Sequence, residues 1–134
     1  MKKPVTATTG VLFCVAVSHS QASKIGFDIV LALLKPKDRL KVVFVIGESD
    51  TDESISQLRD SYEKEMTAIG PTDSVFVALQ RGGKQVDAAL VDWLHDCECD
   101  YLAITPRSVV EVTKSRLTVP ILLNAPCNVI LCKA

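Results

Sequence analysis

Three short stretches hold the residues most able to do chemistry. His95-Asp96-Cys97-Glu98-Cys99-Asp100 puts imidazole, thiols and carboxylates within six positions, a set that could hold a soft metal ion. The H-x-C-x-C spacing lacks the paired C-x2-C of a zinc knuckle, and no second ligand pair follows it. Cys97 and Cys99 are therefore read as filling a helix–strand joint, with His95 facing a helix C-terminus. Arg81-Gly82-Gly83-Lys84 sets a glycine pair between two bases, the makings of an anion cradle. It lacks the G-x4-G-K-S/T of a phosphate-binding P-loop, so a tight strand-to-helix turn is the preferred reading. Ser18-His19-Ser20 pairs hydroxyls with an imidazole. Adjacent residues do not set nucleophile against base, and there is no G-x-S-x-G elbow, so no hydrolytic role is assigned. Asp50, Asp52 and Glu53 read as caps and dipole complements at a helix start.

The elements that must position these residues follow from periodicity. Continuous apolar runs at residues 11–17 (VLFCVAV) and 40–46 (LKVVFVI) suit strands covered on both faces. Further strands are expected at 75–79, 100–104 (DYLAI) and 128–132 (NVILC). Residues 20–34 read as a helix with Ser20 as N-cap and Ala22, Ile25, Ile29, Ala32 and Leu33 on its apolar face. Residues 50–69 form a second helix through Ile55, Leu58, Tyr62, Met66 and Ile69, stopped by Gly70-Pro71. Gly82-Gly83 opens a third, carrying Val86, Leu90, Trp93 and Leu94. Residues 109–115 are ambiguous, and 119–124 read as a short helix.

Strands separated by helical crossovers imply a mainly parallel sheet. The expected fold is one α/β domain over residues 1–134. It has three layers, a doubly wound, five-stranded, Rossmann-like parallel sheet with helices on both faces. Ligands of such sheets bind beyond the carboxyl ends of the strands, where the strand order reverses.

Composition narrows the function. With 15 basic and 16 acidic residues the net charge is -1, which offers nothing to a nucleic acid or a membrane surface. No run approaches the ~18 apolar residues of a spanning helix. Five cysteines, an odd number, argue against a disulfide framework and for a reducing compartment, so a soluble, cytoplasmic protein is expected. Cys14 and Cys132 read as core residues, and Cys127, which follows Pro126 at the start of the last strand, reads as either reactive or structural.

The C-terminal half resembles a universal stress protein. Cys99-Asp100-Tyr101-Leu102-Ala103-Ile104 matches that family's aspartate followed by an apolar strand. The stretch Leu122-Leu123-Asn124-Ala125-Pro126-Cys127-Asn128-Val129-Ile130-Leu131 resembles its "APCPVLvv" ending. VLFCVAVSHSQAS resembles its opening strand and loop, so the resemblance spans nearly the whole chain. ATP-binding members close the first strand with an aspartate and follow the fourth with G-x2-G-x9-G-S/T. Here the aspartate position is Ser18, and the first two loop glycines fall on Thr105 and Ser108. The third falls on Thr118 counted forward, or on Ser115 counted back from Ala125, so the loop is also shortened. No glycine follows Gly83, and Pro106 removes an amide donor.

The resemblance therefore implies a divergent member: a non-enzymatic stress-response or regulatory module. It would act through dimerisation or partner binding and would not bind ATP in the usual way. The alternative is an ATP- or AMP-binding sensor, or weak ATPase, using Ser, Thr and Arg side chains in place of glycines. Its cleft positions would be Ser18, Val45, Gly83, Thr105, Arg107, Ser108, Ser115 and Thr118. No cofactor and no metal is expected, with ATP or AMP the possible ligands. The resemblance also implies a homodimer through the last strand, by Asn128, Val129, Ile130 and Leu131, whose apolar edge needs cover.

Overall fold

Two carboxylates, one buried and one partly buried, tether the start of the central strand. Asp38 accepts the N–H of Val11 at 3.0 Å and that of Lys35 at 2.8 Å. Asp100 accepts the N–H of Leu12 at 2.7 Å. The chain's path around that strand comes from a computed structural model, which describes residues 10–69, 73–106 and 118–133. Among these the order is β1 (Leu12–Val17), α1 (Ala22–Leu33), β2 (Arg39–Val45), α2 (Asp52–Ile69), β3 (Ser74–Leu79), α3 (Val86–Cys97), β4 (Tyr101–Ile104), α4 (Thr118–Asn124) and β5 (Asn128–Leu131). The ambiguous residues 109–115 lie outside the described ones.

The strands form one sheet in the order β3-β2-β1-β4-β5, every pairing parallel. Successive side chains of a strand point to opposite faces, so a strand covered on both sides must be apolar throughout. In β1, Phe13, Val15 and Val17 pack with Phe27 and Val30 of α1 and with Tyr62 and Met66 of α2. Leu12 and Cys14 pack the other way, with Leu90 and Leu94 of α3 and Ile121 of α4. The expected doubly wound, three-layer architecture is what the chain adopts. Among the described residues no helix is long and apolar enough to cross a membrane.

Two local expectations are corrected. First, α1 buries Ser23, Gly26, Phe27 and Val30, whereas Ile25, Ile29, Ala32 and Leu33, expected on its inner face, point outward. The turn is dictated by two contacts. The Phe27 ring meets Tyr62 edge-on at 5.0 Å, and Gly26 lies against Thr105 beyond β4. Second, Ser20 is not the N-cap of α1. That position is Gln21, which makes no side-chain cap, and Ser20 Oγ instead accepts the Ala22 N–H at 3.2 Å from one residue further out. α2 has a reciprocal cap: Thr51 Oγ1 accepts the Ser54 N–H, and Ser54 Oγ accepts the Thr51 N–H. At the end of α3, Glu98 takes a left-handed conformation, φ 54°, which turns the chain so that Cys99 is buried.

Candidate functional site

The strand order reverses between β1 and β4, so their carboxyl ends flank the crevice in which this sheet class holds ligands. Ser18 follows β1 and Thr105 follows β4.

The loop after β1 is satisfied from within. Ser23, buried at the start of α1, is its hub: its Oγ accepts the Ser18 N–H at 3.2 Å and faces Tyr62 Oη at 2.9 Å. It lies 3.1 Å from the carbonyl of Ser18 and 2.9 Å from that of Ser20, either of which can take its proton. A hydroxyl has one proton and two lone pairs, so with Tyr62 donating, the Ser23 oxygen is saturated. Burial pushes the Tyr62 hydroxyl above the ordinary phenol range, which keeps its proton available for that bond. Ser18 Oγ accepts the Ser20 N–H at 3.1 Å, and the Ser23 and Lys24 amides bond to the carbonyls of Ser20 and Gln21. The amides of Ser18, Ser20, Ala22, Ser23 and Lys24 thus all have acceptors inside the protein.

On the other flank, Thr105 is turned inward. A Cβ placed on Gly26 would lie 2.3 Å from Thr105 Oγ1, so the threonine hydroxyl occupies the space that the glycine leaves. The Cys132 sulfur lies 3.6 Å from the same Cβ position, so it too adjoins Gly26 and Thr105.

Of the other cleft positions, Val45 ends β2 and packs toward the α3 face. Gly83 follows β3, so β2 and β1 stand between it and β4. At ~4.8 Å per strand that is a lateral separation of about 14 Å. Thr118 is the first residue of α4. Arg107, Ser108 and Ser115 lie outside the described residues. The structure therefore brings Ser18 and Thr105 to the two flanks of the crevice and sets Gly83 apart from them.

Gly83 belongs to a separate cavity of about 420 Å³, lined by Gly47, Glu48, Gln80, Arg81, Gly82 and Lys84 among others. Gly82 and Gly83 have φ of 59° and 82°, a left-handed pair that side-chain-bearing residues rarely adopt. They close a turn in which the Lys84 N–H donates to the Arg81 carbonyl at 3.1 Å. Both bases are paired, Arg81 with Glu48 at 3.7 Å and Lys84 with Asp92.

A third feature joins the neighbouring loops after β1 and β2. His19 Nε2 donates to Asp50 Oδ1 at 2.7 Å, and Asp50 Oδ2 accepts the Gly47 N–H at 2.6 Å. The His19 ring stands edge-on to Phe44 at 5.1 Å. Burial alone would raise the Asp50 carboxyl, but the Gly47 N–H and the His19 ring outweigh it and hold it below the ordinary 3.8. Sequence reading gave Asp50 a capping role and missed this partner. The signal was topological: the two residues follow adjacent strands, so both arrive at one edge. His19 also lines a cavity of about 370 Å³ between α1 and α2, with Ser18, Ser20, Lys24, Ser54 and Tyr62. Lys24 there is committed to Asp28 at 2.8 Å and Glu65 at 2.7 Å. Burial works against its charge, but these two carboxylates prevail and raise its ammonium above the usual lysine value. With Nε2 of His19 held by Asp50 and Ser18 Oγ held by a backbone amide, no activated hydroxyl results. Among the described residues no three His, Cys, Asp or Glu side chains converge to hold a metal ion.

No protein-family model matches the chain, and no curated protein is similar to it in sequence. Solved structures are similar in shape. A universal stress protein from Archaeoglobus fulgidus superposes with a TM-score of 0.75 at 18% identity, over 93% of this chain and 95% of that one. A universal stress protein in complex with cAMP superposes at 0.69 with 13% identity, over 90% and 95%. The Archaeoglobus fulgidus protein in complex with dAMP superposes at 0.68 with 17% identity, over 94% and 99%. A strand order of 3-2-1-4-5, parallel pairing throughout and coverage of nearly both full lengths agree: this chain has the universal stress protein fold.

Proposed function

We propose that this protein is a non-enzymatic regulatory module of the stress-response kind, acting in the cytoplasm through self-association along β5 or through a partner. It does not hold ATP in the manner of a glycine-loop site. One observation carries this reading. The described flanks of the crevice are filled by the protein's own groups: the loop after β1 by the Ser18–Ser20–Ser23–Tyr62 network, and the space over Gly26 by Thr105. A phosphate held by backbone N–H groups needs those groups free, and glycine to let it approach.

The second reading, an adenine-nucleotide sensor, is favoured by the two structurally similar proteins solved with cAMP and dAMP. Thermal unfolding with ATP-Mg, AMP or cAMP separates the two. A ligand at 100 times its Kd adds about 2.7 kcal/mol of stability, a shift easily read. The module reading expects an unchanged Tm up to millimolar nucleotide. A rise that grows with nucleotide concentration would replace it with the sensor reading.

A further inference from the structure

The thiols form a group that the crevice does not use. Cys14, Cys97, Cys99 and Cys127 all belong to the apolar cluster between the sheet and the α3–α4 layer, with Cys99 and Cys127 at the amino ends of β4 and β5, opposite the crevice. Tyr101 of β4 stands beside Asn128 of β5, and the Asn128 N–H donates to the Asp100 carbonyl at 3.2 Å. Cys127 is one residue before Asn128 and Cys99 two before Tyr101, so the two are diagonal neighbours at the amino ends of adjacent strands. A strand spacing of ~4.8 Å combined with one step of ~3.3 Å gives a diagonal of about 6 Å, within the Cα separation of disulfides. The Cys99 thiol donates to the Tyr101 carbonyl at 3.2 Å, and the Cys127 thiol is near enough to shift its titration.

We propose that Cys99 and Cys127 are a reversible thiol–disulfide pair, oxidised within one chain by a low-molecular-weight disulfide, with Cys127 as the entry thiol and Cys99 as the resolving one. Access sets the roles. Cys99 is 7% exposed and Cys14 fully buried, while Cys127 is half-buried at the bend before β5. The Cys127 thiolate attacks one sulfur of the external disulfide and bonds to it, forming a mixed disulfide, while the other sulfur leaves as a thiolate that takes up a proton. Cys99 then attacks the Cys127 sulfur of the mixed disulfide and expels the second small thiol. Two protein thiols and one small disulfide become one protein disulfide and two small thiols, so hydrogens and electrons balance.

Cys97 does not compete. Its Sγ is turned to the Leu94 carbonyl at 3.7 Å and to Cys14. The pair is slow at neutral pH. The nearby Cys99 thiol, with burial, raises the Cys127 thiol above the ordinary range. For Cys99 the Cys127 thiol acts downward, but the Cys14 contact and burial prevail, and it too is raised. Exchange needs a thiolate, so its rate climbs with pH above neutrality.

The test incubates the full chain with excess glutathione disulfide, alkylates the remaining thiols and maps peptides without reduction. The expected result is a monomer that has lost two hydrogens, with residue 99 joined to residue 127, reversed by dithiothreitol. In Cys99→Ser, glutathione should remain as an adduct on Cys127; in Cys127→Ser, Cys99 should stay free. The wild-type map decides alone if a variant fails to fold. Five alkylatable thiols after oxidation, a cross-link between chains, or a bond through Cys97 or Cys14 would overturn the proposal.

Discussion

Asp50 governs more of the crevice edge than a helix-capping residue would. Its two oxygens join the loops after β1 and β2 through His19 and Gly47. Because its carboxyl titrates below 3.8 in the folded chain, the unfolded chain takes up that proton first as pH falls. The stabilisation is therefore complete well above pH ~4 and fades as pH drops through the unfolded value and then the lower folded one. Asp50→Asn removes this titration. Its Tm, scanned between pH 3 and 7, should fall less steeply on the acid side than the wild type's, from a lower neutral plateau. Parallel acid limbs for the two proteins would show that Asp50 contributes no linkage. The residue types at this edge were visible in the sequence, but the pair was not, since 31 positions separate its members and only the strand order brings them together.

At the scale of elements, α1 shows where periodicity misleads. Ile25, Ile29 and Leu33 recur at four-residue intervals and look like the face that should be buried. The helix instead presents Ser23, Gly26, Phe27 and Val30. Aliphatic spacing finds the helix but does not rank a glycine or a buried serine, and here Ser23 holds the loop after β1 and Tyr62 while Gly26 lies against Thr105. The strands were legible because burial on both faces demands an unbroken apolar run, and the crossovers fixed their direction. The α1 face was not, because it depends on Thr105, almost eighty residues further on. The dependence can be measured. Gly26→Ala should cost about 1–2 kcal/mol in denaturant unfolding, since its methyl meets Thr105 Oγ1 at 2.3 Å. Thr105→Ala in the same chain should recover most of that loss, because the clashing atom is gone. Strictly additive costs would mean that the hydroxyl swings away and that Thr105 does not fill the crevice flank as described.

For the whole molecule, the two edge strands of the sheet decide how copies of the chain could meet. Among the described residues β3 and β5 each have a strand neighbour on one side only, and the unpaired backbone row of such an edge strand is the usual template for pairing with another chain. Their side chains differ. β5 carries Leu131, 44% exposed, and α4, which precedes it in the chain, carries Leu123, 77% exposed. β3 has Val75 at 44%, but Ser74 beside it is polar. If copies of the chain pair through the last strand, a charge at its outer end should keep them apart, as lysines do on natural edge strands. Sedimentation velocity at two concentrations should show the wild type growing heavier as concentration rises, Leu131→Lys staying at the monomer value, and Val75→Lys behaving as wild type. Sensitivity at Val75 instead of Leu131 would move the interface to the opposite edge. A wild type that is monomeric at both concentrations would remove self-association and leave a separate partner as the route by which the module acts.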